Sequence, residues 1–280
     1  MNLSKKTHDL ISQALKEDIG GRDITTELTV PEQSTCTAIL KAKQDGVLSG
    51  VDIYRSVFDH VEAEAKDWQS MADGEAFFNG DVMASFTGLT RAILTGERTA
   101  LNFLQHLSGI ATETAKYVAA VHENAVRICD TRKTTPLLRD LEKVAVRHGG
   151  GWNHRQALFD GILIKENHIK AAGGIQQAFS QAHDGSHHLL NIEVEVTNLA
   201  ECQEAIEAGA GVIMLDNMSL DDMRQAVEMG RDTSVTFEAS GNVNLSTVVG
   251  IAATGIDIVS VGSITHSAPS VDFSLTIEIH

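Results

Sequence analysis

A repeated strand–helix pattern, which begins near residue 126, limits the fold more than any other feature of the sequence. Short runs rich in β-branched residues alternate there with amphipathic stretches such as Leu199–Ala208. Repeats of roughly 20 to 35 residues are typical of parallel strands joined by right-handed crossovers. The predicted strands are Val126–Asp130, Ile162–Lys165, Ile192–Val196, Gly211–Asp216, Ser234–Ala239 and Asp257–Gly262.

Either a doubly wound sheet or a barrel satisfies this repeat, and the placement of polar residues separates them. Nearly every predicted strand ends in a polar side chain, including Asp130, Lys165, Glu195, Asp216 and Ser240. All strand ends of an α/β barrel converge on one face. In an open sheet only those at the switch point are neighbours. The pattern favours a barrel, and about six strands instead of eight predict an incomplete one.

The first hundred residues follow a different pattern. Helices are predicted near Thr7–Lys16 and Val51–Val61, and strands near Thr35–Lys43 and Glu75–Phe86. Several glycines interrupt these segments. The region therefore predicts a small α+β domain.

A strong helical pattern at Ala92–Leu107 is expected to join this domain to the barrel. The C-terminal Ser270–His280 alternates apolar and polar residues and is expected to return to the first domain as a strand. We thus expect an N-terminal domain of residues 1–110 joined by 269–280, and a barrel domain of residues 111–268.

Charge and cysteine content narrow the class of protein. A formal net charge of −16 disfavours nucleic acid, because such a surface repels phosphate backbones. Met1–Ile11 lacks the apolar core of a signal peptide, and no apolar run reaches the roughly 18 residues of a membrane span. Cys36, Cys129 and Cys202 are isolated, as in buried residues of a reducing compartment. We expect a cytoplasmic protein without a nucleic-acid or membrane partner.

The segment from Asp130 to Lys170 is locally basic within this acidic chain, which suggests a pocket for a small polyanion. In Asp130–Pro136, Arg132 offers a bidentate fork and Lys133 a compact charge at a predicted helix start. A helix start with charged neighbours would give the same pattern. Exposed helix faces are expected to account for Lys143, Arg147 and Lys170.

Two further basic motifs follow. Three glycines in Gly149–Arg155 indicate a tight path, a close approach to a ligand or a flexible loop, and His154 and Arg155 follow them as anion donors. Lys165 ends a predicted strand, where a lysine binds phosphate or forms a Schiff base with a carbonyl substrate.

Acidic residues occupy the later strands. Alternation in Ile192–Val196 sends Glu193 and Glu195 to one face, where carboxylates are costly unless paired. Glu195 and Asp216 are expected to hold Mg²⁺ through water or to accept sugar hydroxyls. Glu193 and Glu238 are expected to pair with buried lysine or arginine.

Two small strand-to-helix turns, Glu238–Asn242 and Val261–His266, are of the kind that presents backbone amides to phosphate. Together with the cations and acids, they suit a substrate with several carboxylates and a phosphorylated sugar with its metal.

Motifs spread over almost the whole chain carry a family resemblance. They are Glu17–Gly20 (EDIG), Asp23–Thr26 (DITT), Glu97–Asn102 (ERTALN), Leu107–Thr112 (LSGIAT), Asp130–Pro136 (DTRKTTP), Gly149–Arg155 (GGGWNHR), Leu163–His168 (LIKENH), Glu193–Val196 (EVEV), Leu215–Met218 (LDNM), Glu238–Gly241 (EASG) and Val261–Ser267 (VGSITHS). In this order they resemble the quinolinate phosphoribosyltransferase family, also called carboxylating nicotinate-nucleotide pyrophosphorylase.

The resemblance implies an N-terminal open-faced α/β sandwich domain plus an incomplete α/β barrel. It implies transfer of phosphoribosyl from 5-phosphoribosyl 1-pyrophosphate to quinolinate with decarboxylation. The products are nicotinate mononucleotide, pyrophosphate and CO₂, in de novo NAD biosynthesis. It also implies Mg²⁺ as cofactor and a homodimer with shared active sites, with higher assembly left open.

The resemblance also assigns residues. Quinolinate would be bound by Arg98 of the partner subunit together with Arg132, His154, Arg155 and Lys165. Phosphoribosyl pyrophosphate would be bound by Lys133, Lys165, Glu195, Asp216, Ser240, Gly241, Asn242, Gly262, Ser263, Ile264 and His266. The catalytic residues would be Lys133, Lys165, Glu195 and Asp216, and the Mg²⁺ ligands, partly through water and substrate, Glu195 and Asp216.

Two positions depart from the family pattern. Leu137 stands where a glycine usually follows the proline, and Asn242 where a glycine usually follows Ser240-Gly241. Neither change removes a charged group, and asparagine tolerates positive φ better than most residues.

Three other functions remain open from the sequence. A related transferase could accept nicotinate without decarboxylation, although the paired use of Arg132 and Arg155 favours a diacid. An aldolase could use Lys165 as a Schiff base. A non-catalytic nucleotide-binding protein would have little need for the acids at Glu195 and Asp216.

Overall fold

The computed structural model describes residues 3–280 and divides the chain into two compact units. The first unit contains the chain up to Glu113, together with Arg147–Gly149 and Ala268–His280. The second unit contains Thr114–Val146 and Gly150–Ser267. No helix in the described part of the chain is long and apolar enough to cross a membrane.

The first unit mixes short helices with antiparallel strands. Its elements are α1 (Lys5–Ile19), α2 (Ile24–Thr29), β1 (Thr35–Ala42), β2 (Gly46–Val47), α3 (Val51–His60), β3 (Lys66–Ser70), β4 (Ala76–Phe77), β5 (Val82–Leu89) and the start of α4 (Thr90–Ala120). The second unit alternates strands and helices, namely β6 (Arg127–Cys129), α5 (Arg139–His148), β7 (Ile162–Ile164), α6 (Glu166–Ala172), α7 (Ile175–Gly185), β8 (Ile192–Val196), α8 (Leu199–Ala208), β9 (Val212–Asp216), α9 (Leu220–Met229), β10 (Thr236–Ser240), α10 (Val248–Ala252), β11 (Ile258–Ser260) and α11 (Ser263–His266). The last strand, β12 (Phe273–Ile279), lies in the first unit.

The main sheet of the first unit has the strand order β12-β1-β5-β3, with antiparallel pairing throughout. The predicted return of the C-terminal segment is confirmed, because Cys36 pairs with Ile279 and Ala42 with Phe273. The prediction of one continuous strand over Glu75–Phe86 is wrong. A turn interrupts it, with Gly80 at φ 96 and the Phe78 N–H donating to the Asp81 carboxylate at 2.8 Å.

Helix α4 is longer than the sequence predicted. It begins at Thr90, directly after β5, and extends to Ala120 instead of ending at Leu107. Gly109 lies within this extension. A Cβ there would lie 2.3 Å from the Pro269 carbonyl oxygen, so the glycine permits close backbone packing.

The sheet of the second unit has six strands in the order β6-β11-β10-β9-β8-β7, and every pair is parallel. All six predicted strands are confirmed. No ladder joins β6 to β7 among the described residues, although Trp152 forms a parallel bridge with Cys129 beyond β6. The sheet is therefore an incomplete barrel.

Alternation along the strands decides which side chains enter the site. Val194 and Val196 in β8 and Leu215 in β9 are fully buried. The residues between them point the other way, because successive side chains of a strand face opposite sides. The polar residues of β8, β9 and β10 consequently share one face of the sheet.

Candidate active site

A cavity of about 550 Å³ lies at the carboxyl end of the parallel sheet. Every residue around it belongs to the second unit. The cavity is lined by Thr131, Arg132, Lys133, His154, Arg155, Leu163, Lys165, Glu195, Met214, Asp216, Asn217, Glu238, Ser240, Gly241, Asn242 and Ser260. Parallel strands bring these residues together because all their carboxyl ends lie on one side.

The loop after β6 carries the first two cations. The Lys133 backbone N–H donates to Thr131 Oγ1 at 3.0 Å, and the Lys133 carbonyl accepts from Thr265 Oγ1 at 2.8 Å. A Cβ at Gly262 would lie 3.0 Å from Lys133 Cδ, so a larger residue at 262 would crowd this lysine. The loop is thus held from two sides while Arg132 and Lys133 face the cavity.

Arg155 is the second guanidinium in the cavity. Its Nη1 donates to the Gly161 carbonyl at 2.7 Å, whereas its buried Nε has no protein partner. Burial and the positive charge of Arg132 lower the pKa of Arg155. Two guanidiniums close enough to repel each other favour an anion between them.

The buried pair Lys143 and Asp130 organises the loop beside these arginines. The Lys143 Nζ lies 2.5 Å from Asp130 Oδ1, and the lysine side chain is only 3% exposed. The prediction that Lys143 occupies an exposed helix face is therefore wrong. Asp130 also accepts from the His154 backbone N–H at 2.8 Å and from Asn153 Nδ2 at 2.6 Å. One buried carboxylate thus fixes the backbone that carries His154.

The glycines before His154 allow the backbone to follow a tight path through the fold. Gly150 has φ 82, and a Cβ at Gly151 would lie 2.7 Å from Thr114 Cγ2 and 2.8 Å from Val146 Cγ1. Both positions therefore require the absence of a side chain for reasons inside the fold. Of the three interpretations that the sequence left open, the tight path holds for these two glycines.

His154 contacts two buried acids. Its Nε2 lies 3.0 Å from Glu193 Oε2 and 3.6 Å from Glu238 Oε2. The sequence predicted lysine or arginine as the partner of Glu193 and Glu238, and this is wrong for both. The nearby buried lysine is already paired with Asp130, and a histidine supplies the cation instead.

The acids change the protonation of this cluster. Burial opposes a charged imidazole, but the hydrogen bond to Glu193 and the charges of Glu238 and Glu193 outweigh it, so the pKa of His154 is raised. Burial and the neighbouring Glu193 raise the pKa of Glu238 to about 7. One Oε1 atom of each acid is buried without a partner. Both shifts favour the protonated forms, the imidazolium of His154 and the neutral carboxyl of Glu238.

Lys165 and Glu195 form a more open part of the cavity. Lys165 Nζ lies 2.5 Å from Glu195 Oε2, and the lysine side chain is 46% exposed. A Schiff-base lysine is usually activated by removal from water or by a second cation. Lys165 is instead about half exposed and paired with a carboxylate, which argues against the aldolase alternative.

Two asparagines connect the turns after β9 and β10. Asn242 Nδ2 donates to Asn217 Oδ1 at 2.9 Å, and Asn217 Nδ2 donates to Asp216 Oδ2 at 3.1 Å. Both asparagines have positive φ, 54 for Asn217 and 50 for Asn242. A Cβ at Gly241 would lie 2.3 Å from Asn217 Oδ1, so this glycine makes room for the connection.

The structure does not place every predicted site residue at the cavity. Ten of the predicted residues line it, namely Arg132, Lys133, His154, Arg155, Lys165, Glu195, Asp216, Ser240, Gly241 and Asn242. Gly262, Ser263, Ile264 and His266 follow β11 at the same edge of the sheet but are not among the lining residues. The Ile264 side chain is fully buried, so only its backbone is available to a ligand. Arg98 belongs to α4 in the first unit.

The sequence analysis did not single out two apolar lining residues. Leu163 pairs with Glu193, and Met214 pairs with both Glu195 and Glu238. The period of two within each predicted strand would have placed them on the face of the acids. Thr131 and Asn217 also line the cavity without having been assigned a role from the sequence.

Comparison with known proteins gives a consistent result over both units. Residues 110–276 match the family model "Quinolinate phosphoribosyl transferase, C-terminal domain". Residues 23–108 match the corresponding N-terminal domain model. The two matches together span most of the chain.

Curated and solved relatives agree with these matches. A probable nicotinate-nucleotide pyrophosphorylase (carboxylating) from Bacillus subtilis is 41% identical over 270 residues, 96% of this chain and 93% of the relative. Quinolinate phosphoribosyltransferase (decarboxylating) 1b from Nicotiana tabacum is 37% identical, covering 97% of this chain and 83% of the relative. The crystal structure of NadC from Streptococcus pyogenes superposes with a TM-score of 0.95 at 42% identity, covering 100% of this chain and 99% of that chain.

Proposed function

Because the chain belongs to the quinolinate phosphoribosyltransferase family, we propose that it catalyses the decarboxylating transfer of phosphoribosyl to quinolinate. The substrates are quinolinate and 5-phosphoribosyl 1-pyrophosphate, and the products are nicotinate mononucleotide, pyrophosphate and CO₂ for NAD biosynthesis. One observation carries the proposal. A single cavity joins two guanidiniums and a histidine paired with acids to a lysine, two further acids and a glycine turn.

The guanidinium side suits a dicarboxylate. Arg132 and Arg155 each provide a planar fork that matches a carboxylate, and His154 adds a third positive group. Quinolinate has two adjacent carboxylates on a flat ring, whereas nicotinate has one. Two forks in one cavity favour the diacid.

The other polar residues of the cavity suit the sugar phosphate and its metal. Ser240, Gly241 and Asn242 form a turn at the end of β10, where backbone N–H groups and a hydroxyl are available to phosphate oxygens. Mg²⁺ takes oxygen ligands, and the carboxylates of Glu195 and Asp216 supply this class of donor in the same cavity. The residues therefore fit Mg²⁺, which would offset charge on the departing pyrophosphate.

The reaction needs orientation and charge more than a protein nucleophile. The pyridine nitrogen attacks the anomeric carbon as pyrophosphate leaves, and positive charge grows on the ribose ring. Glu195 and Asp216 stabilise that charge, while Lys133 and Lys165 neutralise the leaving group. The ribosylated nitrogen is then positive, so loss of the neighbouring carboxylate as CO₂ leaves a carbanion that the ring stabilises.

The proposed assembly and cellular location of the protein rest on its resemblance to the family. The chain forms a homodimer in the cytoplasm, and Arg98 of the partner subunit completes the quinolinate site. Sedimentation equilibrium tests the dimer. Mixed dimers of R98A and K165A chains test the shared site, because only a hybrid contains one intact site. Confirmed hybrids without any recovery of activity would contradict a shared site.

A single assay tests the reaction. Purified protein is incubated with Mg²⁺, phosphoribosyl pyrophosphate and carboxyl-labelled quinolinate, and both CO₂ and nicotinate mononucleotide are measured. Equal amounts of the two products are expected. Ribosylation of nicotinate without any turnover of quinolinate would instead support the neighbouring transferase.

A further inference from the structure

The two ring nitrogens of His154 have different surroundings. Nε2 points toward Glu193 and Glu238, at 3.0 and 3.6 Å from their Oε2 atoms. No hydrogen bond from another described residue reaches Nδ1, and the side chain is 14% exposed at the cavity. An imidazolium whose Nε2 is held by carboxylates therefore has a second N–H for a ligand in the cavity.

The charged groups around His154 come from four elements. Glu193 on β8 and Glu238 on β10 favour the imidazolium, and Lys143 on α5 opposes it. Asp130, after β6, is already paired with that lysine and contacts the His154 backbone. The hydrogen bond to Glu193 and the two carboxylate charges together outweigh burial and Lys143, so the pKa of His154 is raised.

The proposed reaction requires one proton that no substrate supplies. When the bond between C2 of the pyridine and its carboxylate breaks, the electron pair stays on C2 and CO₂ departs. A proton must then reach C2, or the carbanion recaptures CO₂. A group that is cationic at neutral pH and becomes neutral on donation is suited to this step.

On the basis of the proposed function, we propose that His154 donates from Nδ1 the proton that replaces CO₂ at C2. The new C2–H bond forms as the Nδ1–H bond breaks, and the imidazole is left neutral with Nε2–H directed at Glu193 and Glu238. Solvent returns the proton after product release. Glu238 acts as a positioning residue, because its charge holds the imidazole in the protonated state.

Other cations at the cavity are less suited to this step. Lys165 Nζ is directed to Glu195 at 2.5 Å, and arginine stays protonated in proteins. Solvent, Lys133 and Glu238 remain as other sources of the proton, and the experiment separates them from His154.

The test compares wild type with H154Q, which keeps a polar side chain but cannot donate a proton of this acidity. H183Q is the matched control, since His183 is an exposed histidine on α7 with a hydrogen bond to Asp184. Rapid-quench single turnovers resolve quinolinate mononucleotide from nicotinate mononucleotide. We expect H154Q to slow the decarboxylated product by about 100-fold or more, the usual contribution of a general acid, and to accumulate the undecarboxylated nucleotide. Equal slowing of both steps, with no accumulation, would overturn the proposal.

A second measurement reads the proton source directly. The reaction is run in equal parts of H₂O and D₂O, and deuterium at C2 of the product is determined by NMR. Wild type and H183Q should give one deuterium fraction and H154Q another, because the donor changes from an imidazolium to water. Identical fractions in all three proteins would also refute donation by His154.

E238Q provides a test that retains the histidine. Removal of this charge should move the alkaline limb of the decarboxylation rate to lower pH, and an unmoved limb would contradict the positioning role.

Wild type that forms neither CO₂ nor nicotinate mononucleotide would contradict the proposed function itself. An active wild type with unchanged deuterium fractions in H154Q would contradict the present proposal alone.

Discussion

Lys143 Nζ and Asp130 Oδ1 lie 2.5 Å apart, and the Asp130 side chain is completely buried. The same lysine donates to the His154 carbonyl at 3.0 Å, and the same aspartate accepts from the His154 N–H. The pair therefore holds His154 by both of its backbone polar groups. Two buried charges that do not line the cavity thus fix the backbone of a residue that does.

Loss of Lys143 should destabilise the protein strongly. K143A leaves the Asp130 carboxylate buried without its cation, and breaking such a pair costs about 3–5 kcal/mol. K170A is the control, because the Lys170–Glu166 pair on α6 is exposed and an exposed pair contributes about 0–1 kcal/mol. Urea denaturation measures both free energies of unfolding. Similar losses in the two variants would show that Asp130 does not depend on its lysine.

The two substrates should respond differently to loss of Arg132. R132A removes one carboxylate fork, so calorimetry should show quinolinate binding weakened by about 10-fold or more. Phosphoribosyl pyrophosphate binding should change little, and R224A, on the exposed face of α9, serves as control. Unchanged quinolinate affinity in R132A would exclude the proposed role.

Leu137 should be replaceable by glycine with a gain in stability. It is exposed at φ 68, a left-handed conformation that costs a non-glycine residue about 1–2 kcal/mol. Glycine loses about 0.5–1 kcal/mol through the entropy of the unfolded chain. L137G should thus raise the free energy of unfolding by up to about 1 kcal/mol. L158G, at an exposed leucine that lacks positive φ, should lower it, and a loss in both variants would refute the strain.

Stability should fall as pH rises, and Glu238 should be one cause. Its pKa is raised to about 7 in the folded protein, so the folded state binds more protons than the unfolded state between the two values. The contribution of Glu238 to stability is fully present below the pKa that this carboxyl has in the unfolded chain, and it is lost as pH rises through about 7. E238Q, which cannot ionise, should flatten the change by about 1–3 kcal/mol between about pH 4 and pH 8. Free energies of unfolding that fall with pH by the same amount in wild type and E238Q would contradict this.

Asn242 should act on Asp216 through Asn217. N242G keeps the positive φ but removes the donor to Asn217, and N217A removes the link to Asp216. Each hydrogen bond contributes about 0.5–1.5 kcal/mol, so each single variant should weaken phosphoribosyl pyrophosphate binding by about 3- to 10-fold. The double variant should bind no more weakly than N217A alone. Additive losses in this cycle would mean that the two asparagines act separately.

Much of the fold followed from local patterns. The strands of the parallel sheet were predictable because both sides of such a sheet are covered, which gives short, continuous β-branched runs. Strand β3 was missed because most of Lys66–Ser70 is exposed and polar, so that its pairing with β5 gives no local hydrophobic signal. The break between β4 and β5 depends on one turn that alternation alone does not reveal.

The site was predictable where it follows strand ends and unpredictable where it depends on pairing between strands. Lys165, Glu195 and Asp216 were identified because each closes a predicted strand. The partners of His154 were not, because Glu193 and Glu238 come from β8 and β10, and β9 lies between those strands. The sequence contains no local sign that one imidazole reaches both.

Strand β12 has a consequence for synthesis of the chain. It pairs with β1, with Cys36 opposite Ile279, whereas β5 pairs with the other edge of β1, so β1 gains its second neighbour only after the second unit has been synthesised. During translation, β1 must therefore wait with one open edge while nearly the whole second unit is made. An unpaired strand edge is a template for pairing with other chains. A ribosome stalled before β12 is made would leave the N-terminal sheet with an open edge that is prone to aggregation.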